Sequence, residues 1–396
     1  MRRSTLKFAL LGLAVAPPAW SIPVTLADST VKLDVAGVLQ NRAEMNWSET
    51  STGADFDANR GKAMSADPVD FYNRRARLTV SAEREGWKGL ISFSADNGDK
   101  TGKKERAVEL VYLWASKTIK TGDLSHVISL GQDQPNVQPS YRDPSSQLLL
   151  PTPRATVLFP SAAIGYGVRY QLNHKLFQFS VDAQNNRDTG KTSLTESNGL
   201  FYGARAVASL LPGVALPKRT ESFVGEAGMA LALGLDGTLD HAYTRKGATT
   251  SVPDTSYSFY SGGADILFHM DALTADADFR IQQTAKPGKH EQSMAISVQA
   301  GYAIPVASMG IVVEPALRGS MIDKDVDDKF TDAKAISAYS SAAVAEHGNS
   351  GYEGEVGLNI YFKGHSNKLQ IGFQRWESEN SDANANILRI QHQFTF

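Results

Sequence analysis

Arg75 and Arg77 stand one residue apart in the stretch Tyr72-Asn73-Arg74-Arg75-Ala76-Arg77-Leu78. On an extended strand side chains alternate, so these two arginines leave one face about 7 Å apart while Ala76 and Leu78 leave the other. Guanidinium groups at that spacing hand an anion from one to the next through charge-assisted hydrogen bonds, provided their face meets water. Arg42, Arg169, Arg205, Arg318 and Arg389 fall on the polar faces of other alternating stretches, and Arg142 and Arg154 lie in a long proline-rich segment. The chemistry this suggests is anion binding along a path. The competing role for each arginine is an ion pair with an acid on a neighbouring strand. Acids on the same faces (Asp34, Glu44, Glu83, Asp182, Glu226, Asp276, Asp278, Glu314 and Glu355) are about as numerous, so the set supports a modest anion preference.

Other chemistries find less support. The chain has no Cys, which excludes disulfides, metal thiolates and thiol catalysis. His-Glu-x-x-His and glycine-rich phosphate loops are absent, and no cofactor is implied. A serine hydrolase on a barrel surface needs a Ser beside a His on one face. His392 instead has Ile390 and Phe394 as same-face neighbours, His269 has Leu267 and Asp271, and His126 has Leu124 and Ile128. The expectation is that the protein is not an enzyme. A formal charge of −2 gives no basic excess for nucleic acid.

The element that organises the arginines is legible at the C-terminus. In Ile387-Leu388-Arg389-Ile390-Gln391-His392-Gln393-Phe394-Thr395-Phe396, positions 388, 390, 394 and 396 are apolar, and the chain ends on a bare aromatic. A two-faced strand with a terminal Phe is the closing strand of an outer-membrane barrel, in which average hydropathy stays low because only alternate residues meet lipid. His392 interrupts the apolar face. At the other end, Arg2, Arg3 and Lys7 precede an apolar run from Phe8 to Ala16, with cleavage expected after Ser21. Residues 1–21 are therefore read as a secretory signal rather than an anchor helix, and residues 22–396 as the barrel.

Alternation recurs from Val31 to Trp47, in Tyr72–Glu83, and so on through Ser222–Leu235, Tyr257–Met270 and Lys368–Trp376, which predicts sixteen strands. Short links at Asn173-His174, Met270-Asp271, Pro305-Val306 and Lys363-Gly364-His365 alternate with loops such as Asp236–Thr255 and Ile322–Gly351. The expected fold is all-β, a transmembrane antiparallel barrel. Trp87, Trp114, Phe362 and Phe396 are assigned to one aromatic girdle and Trp47, Tyr72, Tyr202 and Tyr352 to the other; Arg74 and Arg375 face outward near the outer rim. A secreted, water-soluble β-sandwich alternates too, but lacks the short/long rhythm and the bare terminal Phe.

One connection, residues 132–163, carries Pro135, Pro139, Pro144, Pro151, Pro153 and Pro160 among apolar side chains such as Leu148-Leu149-Leu150. The prolines prevent strand and helix, and the apolar residues need something to pack on, so this third loop is expected to fold into the lumen and constrict it. An external lid or subunit-contact loop is the alternative.

Taken together, Tyr72-Asn73-Arg74-Arg75-Ala76-Arg77-Leu78, Ile128-Ser129-Leu130-Gly131-Gln132, Ile164-Gly165-Tyr166-Gly167-Val168 and Val298-Gln299-Ala300-Gly301-Tyr302, in that order, resemble the phosphate-selective porin O and P family over nearly the whole mature chain. The resemblance implies a sixteen-stranded homotrimer in the bacterial outer membrane with an arginine-lined pore for small anions. The reading it supports is a passive channel for small hydrophilic solutes with a modest, phosphate-like anion preference. A barrel enzyme and a receptor or adhesin barrel plugged by its loops are the alternatives.

Overall fold

A computed structural model describes residues 24–25, 31–48, 69–95, 108–137, 148–151, 164–185, 200–217, 222, 228–244, 255–286, 289–323, 350–378 and 385–396. Residues 1–21, Arg142, Arg154 and Glu226 lie outside them. Sixteen strands cross the wall: β1 (Lys32–Ser48), β2 (Val69–Arg84), β3 (Trp87–Ser94), β4 (Glu109–Thr121), β5 (Leu124–Asp133), β6 (Gly165–Asn173), β7 (Phe177–Asn185) and β8 (Leu200–Ser209). They continue as β9 (Met229–Thr244), β10 (Thr255–Met270), β11 (Leu273–Lys286), β12 (Lys289–Tyr302, prolonged by Ile304–Val306), β13 (Ile311–Asp323), β14 (Gly351–Tyr361), β15 (Asn367–Ser378) and β16 (Ala385–Thr395).

Each strand pairs antiparallel with its sequence neighbours, and β16 pairs with β1 from Ala385↔Ser48 to Thr395↔Val38, which closes the ring and leaves no open edge. Beyond the last ladder pair, Gly37 and Phe396 exchange both backbone hydrogen bonds, at 2.9 and 3.0 Å. The Phe396 ring lies over Gly37, where any Cβ would collide with it. The terminal aromatic thus seals the seam. Deleting Phe396, or replacing Gly37 with Leu, is expected to lower the amount of heat-modifiable barrel recovered from outer membranes severalfold; unchanged amounts would show that the seam closes without the ring.

Burial runs inside-out relative to a water-soluble protein. Buried positions are rich in Gln, Arg, Asp, Glu and Ser, whereas Leu130, Val298, Leu317, Val356 and Tyr352 are among the many large apolar residues that are exposed. Apolar side chains outward and polar ones inward are what a barrel in lipid requires. The turns at one rim are tight: Glu85 and Gly86 both take positive φ, 49° and 78°, which suits a two-residue hairpin to the twist of its strands.

Several expectations need correction. β9 begins at Met229 rather than Ser222 and runs through Asp236 to Thr244, a stretch whose composition predicts a loop. Asp236, Thr238 and Asp240 are lumen-facing positions whose polarity mimics a surface connection. Ser222 itself lies inside the barrel. Tyr72 does not belong to a girdle, since its hydroxyl donates to Glu44 Oε2 inside the lumen at 3.0 Å. Trp114 alternates with exposed Leu113 and Ala115 and shares the face of buried Ser116, so it too is luminal. Trp87, Phe362, Phe396, Tyr202 and Tyr352 do face outward.

Arg74 is the most consequential correction. Gln40 pairs with Arg75 but Asn41 pairs with Asn73, so Arg74 is the extra residue of a β-bulge. The bulge interrupts alternation and turns Arg74 into the lumen beside Arg75. Arg375 keeps its outward position, where Nε bonds Glu377 at 2.7 Å.

Candidate functional site: the barrel interior

The third loop folds inward, and its described ends dock on two distant parts of the wall. After β5, Asn136 N donates to Asp182 Oδ2 (3.1 Å) and its side chain to Ser180 Oγ (2.8 Å), both on β7. Val137 is fully buried against Phe201 of β8 and sits on Gly203. Residues 148–151 then lie on β12 to β1. Leu149 and Leu150 pack with Ala316, and a methyl group at Gly301 would come 2.6 Å from Leu149, while one at Gly357 would collide with Leu150. At Gly372 it would meet Pro151 at 2.7 Å. Glycines in the wall are therefore the sockets of the loop.

A buried loop leaves carbonyl groups that must find donors. The wall provides them: Lys368 Nζ to Leu148 O at 2.9 Å, Gln370 Nε2 to Leu148 O at 3.1 Å, Asn359 Nδ2 to Leu149 O at 2.7 Å, and Arg42 to Pro151 O. Full burial of Leu149 and Leu150 adds roughly 1.5–3 kcal/mol for each side chain. The loop is thus fixed by apolar sockets and by polar donors at the same four residues.

The arginines divide into two groups. In the first, carboxylates neutralise the charge. Arg169 lies 2.6 Å from both Asp182 and Asp133. Arg318 is 3.0 Å from Glu353 and also pairs with Glu355, and Arg389 is 3.3 Å from Glu44. Arg205 and Arg280 share Asp236 and Asp265, with Arg280 also 2.8 Å from Asp278, so that three carboxylates enclose two guanidinium groups on β8 to β11. In sequence nothing distinguishes Arg280 from other strand arginines, and the stretch around Asp236 resembles a loop, so neither is legible as a site residue.

The second group occupies β1 and β2. Arg42 bonds Gln391 Oε1 at 2.8 and 3.2 Å as well as the Pro151 carbonyl, and Arg74 lies 3.4 Å from the amide oxygens of Gln40 and Gln391. These acceptors are dipoles without net charge, so the positive field of Arg42 and Arg74 survives. Arg75 shares this wall as the register partner of Gln40, and Arg77 lies 5.9 Å from the centre of the Tyr112 ring. Arg42, Arg75 and Arg77 are thus luminal as expected, with Arg74 added to them by the bulge.

A second interior contact comes from the connection between β8 and β9, at the rim of short turns. Ser222 Oγ lies 2.9 and 3.0 Å from the two oxygens of Glu314, which also accepts from Tyr361 (2.6 Å) and Asn359 (3.0 Å). His392 and His126 pair with Asn367 (3.1 Å) and Tyr170 (2.8 Å).

No family model matches the sequence, and no curated protein does. Among solved structures, the chain is similar to Pseudomonas putida OprB in its high-pH structure, with 12% identity, a TM-score of 0.55, and 92% of this chain and 94% of that one covered. It is similar to in-vitro folded OmpT, an outer membrane protein of Vibrio cholerae, in its trimer form, with 13% identity, a TM-score of 0.54, and coverage of 93% and 100%. An anion-selective porin from Comamonas acidovorans gives 11% identity, a TM-score of 0.52, and coverage of 92% and 100%. What these share with the chain is the fold of bacterial outer-membrane barrels, and the exposed apolar belt is what that membrane demands.

Proposed function

We propose that this protein is a porin of the bacterial outer membrane, a passive channel for small hydrophilic solutes with a modest preference for anions. The observation that carries the reading is the pairing of an inward-docked third loop with a wall of arginines, Arg42 and Arg74, that neutral amides hold in place. Selectivity in such a pore follows the charge and width at its narrowest part. Arg169, Arg205 and Arg318 serve the wall as ion-paired scaffolding, which keeps the preference modest. Phosphate-like anions fit the arginine rung because guanidinium groups match oxyanions bidentately. The Comamonas neighbour supports anion transport and the Vibrio neighbour a trimer, each by similarity of fold.

The test is single-channel recording in a planar bilayer under a salt gradient. Discrete conductance steps with a reversal potential on the anion side are expected. Absence of steps would favour a plugged receptor or adhesin, and ester hydrolysis by the purified protein would favour an enzyme.

A further inference from the structure

Tyr112 and Trp114 stand two residues apart on β4 and leave its lumen face about 7 Å from each other. Leu90 of β3 is the register partner of Trp114, and Ser92 and Ser116 are buried neighbours on the same face. On the far side of Trp114 the register runs to Gly131 of β5 and Gly167 of β6, which carry no side chain to fill the space beside the indole. Tyr112, Trp114 and Leu90 are all half-buried. The inward aromatics Phe201, Phe259, Tyr361 and Trp376 are at most 4% exposed. At those four positions the wall closes over its rings, whereas this apolar shelf stays open to the lumen.

Cations bound the shelf at both ends. Arg77 lies one register step toward the long-loop rim, with its guanidinium carbon 5.9 Å from the centre of the Tyr112 ring. Lys88 lies one step toward the short-turn rim as the register partner of Ser116; it is exposed and makes no ion pair among the described residues. The Tyr112 hydroxyl donates to Gln134 Oε1 at 3.4 Å, which ties that ring by its edge. Along the pore the order is therefore cation, ring, ring, cation. Half-exposed rings in a water-filled lumen are informative, because apolar surface left open in a polar setting marks a place for a guest. A flat ring suits the indole and phenol by offset stacking, and the cations at either end call for a negative group on the same molecule.

We propose that the shelf is a binding station for aromatic carboxylates passing through the pore. The ring of the solute stacks on Trp114 and Tyr112 beside Leu90, and its carboxylate accepts hydrogen bonds from Arg77 at one end of the station and from Lys88 at the other. An aliphatic anion meets the cations without using the rings, and a neutral aromatic meets the rings without using the cations, so an aromatic acid alone engages the whole shelf. The inference rests on the anion-channel reading proposed above and names a substrate class for it beyond small inorganic anions.

The test is block of single-channel chloride current in a planar bilayer, titrated with sodium benzoate and, separately, with sodium cyclohexanecarboxylate, which matches benzoate in charge and bulk but lacks the flat ring. Benzoate is expected to halve the current at about one third of the concentration that cyclohexanecarboxylate needs, the difference a stacked ring supplies. Trp114→Leu keeps an apolar side chain and removes the aromatic face, so the ratio of the two concentrations should fall toward one, whereas Trp114→Phe should retain most of it. Should Trp114→Leu fail to fold, Tyr112→Leu serves for the same ratio. Lys88→Gln should raise the concentrations of both acids and leave their ratio in place. Equal block by the two acids in the wild type, or a ratio that survives loss of the aromatic face, would overturn the station. Recordings in a salt gradient without either acid separate the two levels. A channel that conducts and prefers chloride but does not distinguish the acids loses the aromatic class alone, whereas a wild type without conductance or anion preference loses the anion-channel reading with it.

Discussion

Replacing Arg74 and Arg75 together by Glu is expected to make the channel select cations. Both side chains enter the lumen on one rung because of the bulge opposite Gln40 and Asn41. The double substitution changes the local charge by four units. For an ion about 8 Å away in water that is roughly 2 kcal/mol before screening, enough for a change of tenfold or more in the permeability ratio. Salt at about 0.1 M has a Debye length near 10 Å, so the shift should shrink to a few-fold there and grow as the salt is diluted. Reversal potentials measured at two ionic strengths check both the sign and the trend. Had Arg74 faced lipid, as alternation suggests, Arg74→Glu alone would leave the potential unchanged, so the single variant also tests the bulge. A double variant that folds, conducts and keeps its reversal potential would end the assignment of anion preference to this wall.

Deleting residues 145–155 should at least double single-channel conductance. The deletion removes Leu148, Leu149, Leu150 and Pro151, which fix the third loop to the wall between β12 and β1. Conductance follows the open cross-section at the narrowest point, so releasing material from the lumen widens the path that dominates resistance. The loss of two buried leucines weakens the protein by roughly 3–6 kcal/mol in total, but the sixteen ladders of the closed wall do not depend on the loop. A companion variant leaves the chain length intact: Gly357→Leu with Gly372→Leu fills the sockets of Leu150 and Pro151 and should raise conductance in the same direction. Folded protein of unaltered conductance in both variants would place the narrowest point elsewhere, with the adjoining Ser222–Glu314 contact as the next candidate.

Much of this barrel is determined locally and is therefore legible in the chain. A period of two assigns the faces of a strand from its own residues, so the sixteen strands, the closing strand with Phe396, and the inward direction of Arg42, Arg75, Arg77, Arg169, Arg205 and Arg318 follow from sequence alone. The inward fold of the third loop follows too, because prolines and leucines in one segment exclude both regular structure and solvent. Strand ends are less legible where the lumen is polar on one side: Asp236-Gly237-Thr238-Leu239-Asp240 reads as a turn, yet it is a wall strand facing water inside the barrel.

Only the tertiary structure decided which arginines keep their charge. Whether a guanidinium meets a carboxylate or an amide depends on register between strands distant in sequence, as with Arg389 and Glu44 or Arg42 and Gln391, and on one inserted residue that turned Arg74 inward. The glycine sockets depend on contacts between the third loop and strands some two hundred residues later. His392, Asn41 and Asn73 likewise are isolated exceptions in three stretches of sequence and become register neighbours only when closure of the ring sets them side by side. Alternation is a property of each strand by itself, whereas pairing, bulges and closure are properties of the whole ring, and these decide the charge and the contacts of the pore.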